Sequence, residues 1–299
     1  MSRVLILGSS GMLGKMVSYY FISQNENEIV VTARNRSNLT DASKNIYFDV
    51  HSDNLEKIIS DVNPNYVVNC IGVIKPNIDE KSISSVKNAF YVNSYFPTYL
   101  SQLSNRYNFK YIQIGTDCVF SGNEGNYSED SYQDATDIYG KSKIPGEIQT
   151  KNKILIRSSI VGPEAGIGKS LLNWFQNNSN KKIFGFNNHL WNGITTLNFA
   201  KVAFGVINSE NFNPGIYHLV PSDFVTKFEL LKIFQKNFSK DILIEEKKSE
   251  IEVNRLLKTV YLDKNIEMWK NGGYKNIPTI EENIEELYSS NITSTILYS

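Results

Sequence analysis

The chain has 299 residues, with 31 Lys and Arg against 31 Asp and Glu, so its formal net charge is zero. No block of basic residues accumulates, which disfavours a nucleic-acid-binding surface. Two cysteines form neither a disulfide framework nor a metal-binding knuckle. No apolar run reaches membrane-spanning length, and the N-terminal residues lack the features of a signal peptide. We therefore expect a cytoplasmic protein without a membrane span, a nucleic-acid partner or a metal site.

The first half of the chain alternates short apolar runs with segments of helical spacing. The predicted strands are Arg3–Leu7, Glu28–Thr32, Ile46–Asp49, Tyr66–Cys70, Lys110–Ile114 and Lys153–Arg157. The predicted helices are Gly11–Ile22, Val86–Leu103 and Ile138–Gln149. This order is typical of an α/β fold, a doubly wound parallel sheet of the Rossmann type that helices cover on both faces. Such a sheet binds its ligands beyond the carboxyl ends of its strands, where Gly8, Thr116 and Ser158 lie.

The regular alternation stops after Arg157. We predict a glycine-rich turn at Gly162–Gly168 and a short helix at Leu171–Phe175. An irregular aromatic segment follows at Ile183–Ile194, then a helix at Leu197–Ile207 and a last strand at Gly215–Leu219. From Lys227 onwards the pattern predicts helices with one short strand near Ile242–Ile244, and we expect Ser289–Ser299 to fray. We predict a dinucleotide-binding domain of residues 1–160 plus about 195–219. A smaller, mostly helical substrate lobe would comprise about 161–194 plus 220–299.

Three glycines connect the first strand to the first helix, in the sequence Gly8-Ser9-Ser10-Gly11-Met12-Leu13-Gly14. In this context the first glycine makes a tight turn, the second lets the backbone approach a pyrophosphate, and the third lets the helix pack on the strand. The N-terminus of the helix would then hold the phosphates of a dinucleotide. We predict cofactor contacts at Gly8, Ser10, Gly11, Met12 and Leu13.

The end of the second strand indicates which dinucleotide binds. NAD-preferring folds usually carry Asp or Glu there for the ribose hydroxyls, whereas this chain reads Val31-Thr32-Ala33-Arg34-Asn35-Arg36. A guanidinium can grip a 2′-phosphate that a carboxylate would repel. The sequence therefore predicts NADPH, with Arg34 as the first candidate contact, Arg36 as the second, and NADH as the alternative cofactor. Asp49, beside Val50 at the end of the third strand, could accept a hydrogen bond from adenine or cap the helix that follows.

A second motif lies at Thr116 and at the pair Tyr139 and Lys143. Residues four apart share one face of a helix, so the ammonium of Lys143 would stabilise the phenolate and lower the pKa of Tyr139. A phenol so placed can exchange a proton with a carbonyl oxygen near neutral pH. Thr116 follows the fifth strand and adds a hydroxyl at the same edge of the sheet.

These segments resemble the extended short-chain dehydrogenase/reductases, and within that superfamily the dTDP-4-dehydrorhamnose reductases and their sugar-nucleotide relatives. The resemblance runs over nearly the whole chain and fades after Val220. It is carried by Gly8–Gly14, Asn69–Gly72, Val92–Asn93, Gly115–Gly122, Tyr139–Lys143 and Arg157–Ser159.

The resemblance implies that NADPH reduces the C4 ketone of a nucleotide-linked 4-keto-6-deoxy sugar for cell-surface polysaccharide synthesis. Thr116, Tyr139 and Lys143 would be catalytic, and Tyr139 and Lys143 would also contact the cofactor. Further cofactor contacts would come from Cys70, Ile71, Gly72 and Ser159, with Ile160 beside the sugar. The partner would be the nucleotide sugar, and the superfamily commonly forms homodimers.

More substrate contacts follow from the same resemblance. Lys75, after the fourth strand, could meet a phosphate or a sugar hydroxyl. Trp191 and Asn192 match a stretch that contacts the sugar nucleotide in relatives, and Arg255 resembles an arginine that binds the diphosphate. The alternative is that Lys75 is a solvated loop residue and that Trp191 packs in the core.

The chain departs from the family pattern beside Thr116. Gly115 replaces the Ser that is usual in the family, and Cys118 replaces the usual Tyr. Pro145 removes a helix hydrogen bond, so we expect it to kink the helix after Lys143. Asp117 and Cys118, both predicted substrate contacts, stand where the related 4,6-dehydratases have Asp-Glu, so we exclude dehydration.

Two alternative functions stay open. A bifunctional epimerase-reductase would use Cys118 and His189 as acid and base, although a buried thiol is more often a packing residue. A non-catalytic NADP-binding module would resemble the regulatory subunit of methionine adenosyltransferase. His51 and His218 are expected to be structural.

Overall fold

A computed structural model describes residues 1–34, 44–166, 168–179, 181–209, 211–238 and 241–298. In chain order, the strands that it contains are β1 (Arg3–Leu7), β2 (Glu28–Ala33), β3 (Lys44–Tyr47), β4 (Tyr66–Asn69), β5 (Lys110–Ile114), β6 (Lys153–Arg157), β7 (Ile160–Val161), β8 (Lys182–Phe186), β9 (His189–Trp191), β10 (Ile194–Thr195), β11 (Gly215–His218), β12 (Val225–Thr226), β13 (Leu243–Lys247) and β14 (Val253–Asn254). Seven of them form one parallel sheet in the order β11-β6-β5-β4-β1-β2-β3. The chain reverses its direction of winding between β1 and β4, and ligands of doubly wound sheets bind at that point.

Helices cover both faces of this sheet. They are α1 (Met12–Gln24), α2 (Leu55–Val62), α3 (Ile83–Phe90), α4 (Phe96–Tyr107), α5 (Ile138–Lys143), α6 (Leu171–Gln176), α7 (Thr196–Asn208), α8 (Lys227–Asn237), α9 (Leu262–Asn271), α10 (Ile280–Ser289) and α11 (Asn291–Leu297). Among the helices in these described parts of the chain, none combines the length and the apolarity that a bilayer span requires.

Strand β1 shows why the central strands are apolar throughout. Val4 and Ile6 join a core with α1 and α7 on one face. Leu5 and Leu7 join a second core with α2 and α4 on the other face. Because successive side chains point to opposite faces, a strand covered on both sides buries all of them. The predicted doubly wound α/β sheet is confirmed.

In the described residues, three small sheets lie outside the central sheet. They pair β7 with β10, β9 with both β12 and β14, and β8 with β13. The first core continues from the central sheet into α8 and α10 through residues such as Leu230, Phe234, Ile284 and Leu287. The later part of the chain therefore packs on the same side as α1 and α7.

Several predicted boundaries were wrong for identifiable reasons. The predicted helix Ile138–Gln149 ends at Lys143, and a 3₁₀ turn with Pro145 follows it, as expected when proline removes a helix hydrogen bond. The predicted irregular segment Ile183–Ile194 includes most of β8 and all of β9. The C-terminal residues form α11 instead of fraying, because Ile296 is fully buried.

Candidate active site

The turn between β1 and α1 has the geometry that the three glycines predicted. Gly8 has a φ of +83°, in the region that favours glycine. A Cβ atom on Gly14 would overlap the carbonyl oxygen of Gly8, so only glycine lets the helix pack this closely on the turn. On Gly11, by contrast, a Cβ atom would meet only one neighbouring atom, at 3.6 Å, so the backbone there stays accessible.

The N-terminus of α1 differs from those of most other helices in the fold. Helices α2, α3, α5, α6, α7, α8 and α10 are each preceded by a residue whose side chain accepts a hydrogen bond from a backbone N–H of the first turn. Helix α1 is preceded by Gly11, which has no side chain to do so. Uncapped N–H groups and the helix dipole favour an anion at this point. The residues present therefore fit the pyrophosphate of a dinucleotide.

Two adjoining cavities lie at the carboxyl ends of the central strands. The outer cavity has a volume of about 380 Å³, and its lining residues are Gly8, Ser10, Gly11, Thr32, Ala33, Arg34, Phe48, Val50, His51, Cys70, Ile71, Gly72, Val73, Asn88 and Val92. The inner cavity has a volume of about 450 Å³ and a longer lining that includes Gly11, Met12, Leu13, Arg34, Cys70, Ile71, Gly72, Ile114, Gly115, Thr116, Asp117, Cys118, Tyr139, Lys143, Ser158, Ser159 and Ile160. The two share Gly11, Arg34 and the segment 70–73, so one elongated ligand can occupy both.

Of the predicted cofactor residues that the structure describes, all but Asp49 line one of these cavities. The Asp49 carboxylate is absent from both linings and accepts a hydrogen bond from the His51 backbone N–H at 2.9 Å, so it closes a local turn. Arg36 lies outside the described residues. His51, expected to be structural, lines the outer cavity and stacks on Tyr91 with the ring centroids 4.9 Å apart. Nothing in the sequence distinguished His51 from a surface histidine.

The position of Tyr139 and Lys143 follows from how α5 begins. Asp137 caps this helix, because its carboxylate accepts a hydrogen bond from the Gly140 N–H at 2.8 Å. One turn later, the Lys143 ammonium donates to the Ile114 carbonyl at 3.4 Å, at the end of β5. Both side chains and Thr116 line the inner cavity. The structure therefore brings together the three residues that the sequence analysis singled out.

The expected pKa of Tyr139 was wrong in direction. Burial raises the pKa of the phenol, the Cys118 thiol adds to the increase, and a hydrogen bond from Thr116 opposes it. Lys143 is not among the main contributors to this shift. Burial lowers the pKa of the Lys143 ammonium, and the nearby Glu147 carboxylate opposes that change. Tyr139 and Lys143 share one face of α5, but the effect of burial on their pKa values outweighs the charge attraction that their i,i+4 spacing predicted.

Hydrogen bonds of the Asn93 side chain connect the loop after β4 to helix α5. Asn93, in a π-helical turn between α3 and α4, donates from its side-chain amide to the Val73 carbonyl at 2.9 Å and to the Ser142 hydroxyl at 3.0 Å. Its side-chain oxygen accepts from the Val73 N–H at 2.9 Å. π-Helical turns often occur at functional sites. Here the turn ties the loop after β4 to helix α5.

Burial raises the pKa values of two side chains beside Thr116. Burial raises the pKa of the Asp117 carboxyl, although the positive charges of Arg255 and Lys227 oppose the increase. Burial and the Asp117 charge raise the pKa of Cys118 to about 12. The Cys118 group is therefore a thiol at neutral pH and a poor base.

Four predicted substrate residues lie outside the lining of both cavities. Lys75 forms an exposed ion pair with Asp137 at 2.8 Å. The remaining three are Trp191, Asn192 and Arg255. The Trp191 indole donates to the Ser159 hydroxyl at 2.8 Å, Asn192 exchanges hydrogen bonds with the Leu257 backbone, and the Arg255 Nε donates to the Phe120 carbonyl at 2.8 Å.

The remaining histidines do not reach the inner cavity. His189 makes a hydrogen bond with the Ile251 carbonyl at 2.9 Å and packs on Phe186. His218 is fully buried between Arg157 and the Lys258 carbonyl, each 2.7 Å from a ring nitrogen. Burial and the Arg157 charge lower the pKa of His218 to about 4, so it is a neutral structural group.

Comparisons with known proteins agree with this fold. The dTDP-4-dehydrorhamnose reductase of Aggregatibacter actinomycetemcomitans is 26% identical over 256 residues, which cover 81% of this chain and 82% of that protein. Methionine adenosyltransferase 2 subunit beta of Danio rerio is 27% identical over 145 residues, covering 48% and 42%. The structure of dTDP-4-dehydrorhamnose reductase from Bacillus anthracis in complex with NADP superposes with a TM-score of 0.71 at 17% identity, covering 96% and 98%. The family model described as the RmlD substrate binding domain matches residues 2–289. This chain belongs to that family.

Proposed function

We propose that this protein is an NADPH-dependent reductase of nucleotide-linked 4-keto-6-deoxy sugars, acting in cell-surface polysaccharide synthesis. The observation that carries the proposal is the inner cavity, where Thr116, Tyr139 and Lys143 line the same space as the glycine turn. Family membership and the reductase relative support a sugar-nucleotide oxidoreductase. Residues 161–194 and 220–299 would provide the substrate lobe.

The dinucleotide would lie across both cavities. Its pyrophosphate would face Gly11 at the uncapped N-terminus of α1. Arg34 lines both cavities and would bind the 2′-phosphate of NADPH, consistent with the NADP complex of the Bacillus anthracis relative. When bound, the reduced nicotinamide supplies the hydride that the ketone carbon accepts.

Tyr139 would donate the proton that the ketone oxygen gains. Burial raises the pKa of this phenol, so Tyr139 keeps its proton across the neutral range, which is the state that a general acid needs in the reductive direction. The Thr116 hydroxyl would donate a hydrogen bond to the same oxygen and stabilise its developing charge. Lys143 would bind the nicotinamide ribose, because its 3.4 Å bond to the Ile114 carbonyl uses only one of its three donors.

The direct test measures NADPH consumption by the purified protein with a panel of dTDP-, UDP- and GDP-linked 4-keto-6-deoxy sugars, followed by NMR of the product. We expect one nucleotide series to be reduced at C4 only. The Tyr139→Phe variant should lose turnover by about two orders of magnitude or more while it still binds NADPH. A wild-type protein that binds NADPH but reduces no member of the panel would contradict the proposal.

The epimerase-reductase alternative receives little support from the site. Cys118 holds its proton with a pKa of about 12, and His189 lies against Ile251 and Phe186. The same NMR experiment decides the question, because epimerisation would change the configuration beside C4. A binding module without catalysis would behave identically as wild type and as Tyr139→Phe.

A further inference from the structure

Ser159 connects the inner cavity to a buried tryptophan. It lies between β6 and β7 and lines the inner cavity. Trp191 is the last residue of β9 and is 4% exposed, and its indole Nε1 donates a hydrogen bond to Ser159 Oγ at 2.8 Å. The indole itself is absent from the lining of both cavities. Trp191 therefore acts on a ligand in the inner cavity through Ser159.

The direction of this hydrogen bond follows from the chemistry of the two groups. An indole N–H can only donate, whereas a serine hydroxyl has one proton to donate and two lone pairs that accept. Trp191 therefore occupies one lone pair of Ser159 Oγ and leaves the hydroxyl proton to be donated elsewhere. Across the described parts of the chain, no protein acceptor receives that proton. A ligand in the inner cavity, which Ser159 borders, can receive it.

The packing around Gly193 fixes the indole against Ser159. Strand β10 pairs with β7, and the Ile194 N–H donates to the Ser159 carbonyl at 2.9 Å. A Cβ atom on Gly193 would lie 2.4 Å from that carbonyl oxygen and 2.4 Å from Cζ2 of the Trp191 ring. The Lys227 ammonium lies 5.1 Å from the centroid of the same ring. The backbone of Ser159 and the Trp191 ring are thus held together through a residue without a side chain.

We propose that Trp191 is a positioning residue, which orients the Ser159 hydroxyl as a hydrogen-bond donor toward the ligand of the inner cavity. The ligand atom that Ser159 meets is an acceptor oxygen, which comes either from the carboxamide of the nicotinamide or from a substituent of the sugar ring. This inference rests on the proposed function. It gives Trp191 an indirect role in place of the direct substrate contact that the resemblance implied.

Binding measurements test the inference without requiring turnover. Ser159→Ala removes the hydroxyl, and Trp191→Phe removes the indole N–H but keeps an aromatic ring. These two variants, the double variant and wild type are each titrated with NADPH, and with dTDP-, UDP- and GDP-glucose in the presence of NADP. We expect Ser159→Ala to weaken binding of one of these two kinds of ligand roughly three- to tenfold, the effect of losing one neutral hydrogen bond. Trp191→Phe should weaken the same ligand by a smaller factor, and the double variant should bind it no more weakly than Ser159→Ala.

Two further variants serve as controls. Trp174→Phe makes the same kind of change at an exposed tryptophan and should alter neither affinity. Ser159→Thr keeps a hydroxyl and should retain part of the affinity that Ser159→Ala loses, whereas a loss as large as that of Ser159→Ala would count against the inference. If Trp191→Phe does not fold, the comparison of Ser159→Ala with Ser159→Thr still decides whether the hydroxyl donates to a ligand.

The two sources of the acceptor oxygen give different patterns. If the oxygen belongs to the carboxamide, Ser159→Ala weakens NADPH itself but has no further effect on the thionicotinamide analogue, whose sulfur accepts hydrogen bonds poorly. If the oxygen belongs to the sugar, NADPH binds normally and the loss appears only with the nucleotide sugar.

The inference is overturned if Ser159→Ala binds both kinds of ligand as tightly as wild type does. It is also overturned if the losses of Ser159→Ala and Trp191→Phe simply add in the double variant, because Trp191 would then act independently of Ser159. A wild type that binds neither NADPH nor any nucleotide sugar removes the proposed function and this inference together. A wild type that reduces a nucleotide sugar, with both affinities unchanged in Ser159→Ala, removes this inference alone.

Discussion

Gly140 packs directly against the backbone of Cys118. A Cβ atom on Gly140 would overlap the Cys118 carbonyl oxygen and lie 2.5 Å from the Cβ atom of Ala135. Because Tyr139 precedes Gly140 on α5, this contact fixes the distance between the phenol and the loop that carries Thr116. The absence of a side chain at Gly140 therefore sets how closely Tyr139 approaches the loop that carries Thr116.

Gly140→Ala is expected to reduce reductase activity strongly. Backbone cannot move aside as a flexible side chain can, so α5 must shift away from the Thr116 loop. Forced overpacking of this kind costs roughly 1–3 kcal/mol of stability. Steady-state kinetics and thermal unfolding would measure the two effects. Lys141→Ala, on the exposed side of the same helix, is the matched control and should change neither quantity. Full activity in Gly140→Ala would contradict the role assigned to this contact.

Glu147 and Arg157 form a buried ion pair whose removal should be strongly non-additive. Glu147 Oε2 accepts from Arg157 Nη2 at 2.6 Å, and both side chains are almost fully buried. Glu147→Gln alone leaves an unpaired buried guanidinium, which we expect to cost about 3–5 kcal/mol of unfolding free energy. The double variant Glu147→Gln, Arg157→Met should be less destabilised than the sum of the single changes. Denaturant unfolding of all four proteins measures this difference, and additive effects would show that the two charges are not coupled.

The central sheet and the glycine turn were predictable because they rest on local patterns. Apolar runs in strands β1, β4 and β5, and the spacing of Gly8, Gly11 and Gly14, are properties of neighbouring residues. Their geometric consequences follow from steric rules that hold in any chain.

Other features depend on contacts between residues far apart in the sequence. The Lys227 ammonium lies over the Trp191 ring only because β12 pairs with β9, a register that no short motif encodes. The pKa of Tyr139 depends on how deeply the fold buries the phenol, so its i,i+4 spacing from Lys143 predicted the wrong direction. Helix α11 looked frayed from its Ser/Thr content, yet the core that receives Ile296 is assembled by other helices.

The raised pKa of Tyr139 has a consequence for stability in alkaline solution. The folded protein holds this proton above pH 10, the ordinary pKa of tyrosine, whereas the unfolded chain releases it. The unfolded state then binds fewer protons, so the free energy of unfolding falls as pH rises above about 10. One such group contributes a slope of at most about 1.4 kcal/mol per pH unit. Urea unfolding between pH 9 and 11 should therefore show a steeper loss in wild type than in Tyr139→Phe. Parallel curves for the two proteins would mean that the phenol titrates normally.

Arg34 should decide the preference between NADPH and NADH. Its guanidinium is exposed at the edge of β2 and lines both cavities, where the 2′-phosphate is the only part that distinguishes the two cofactors. We expect Arg34→Ala to weaken NADPH binding by roughly tenfold or more, the effect of losing a charge-assisted contact, and to leave NADH binding nearly unchanged. Fluorescence titration of both cofactors measures the ratio. Arg3→Ala, which removes a surface arginine paired with Glu28, is the control and should leave both affinities unchanged. An equal loss for NADPH and NADH in Arg34→Ala would place this side chain against the adenine or the pyrophosphate and would contradict its proposed role in selecting NADPH.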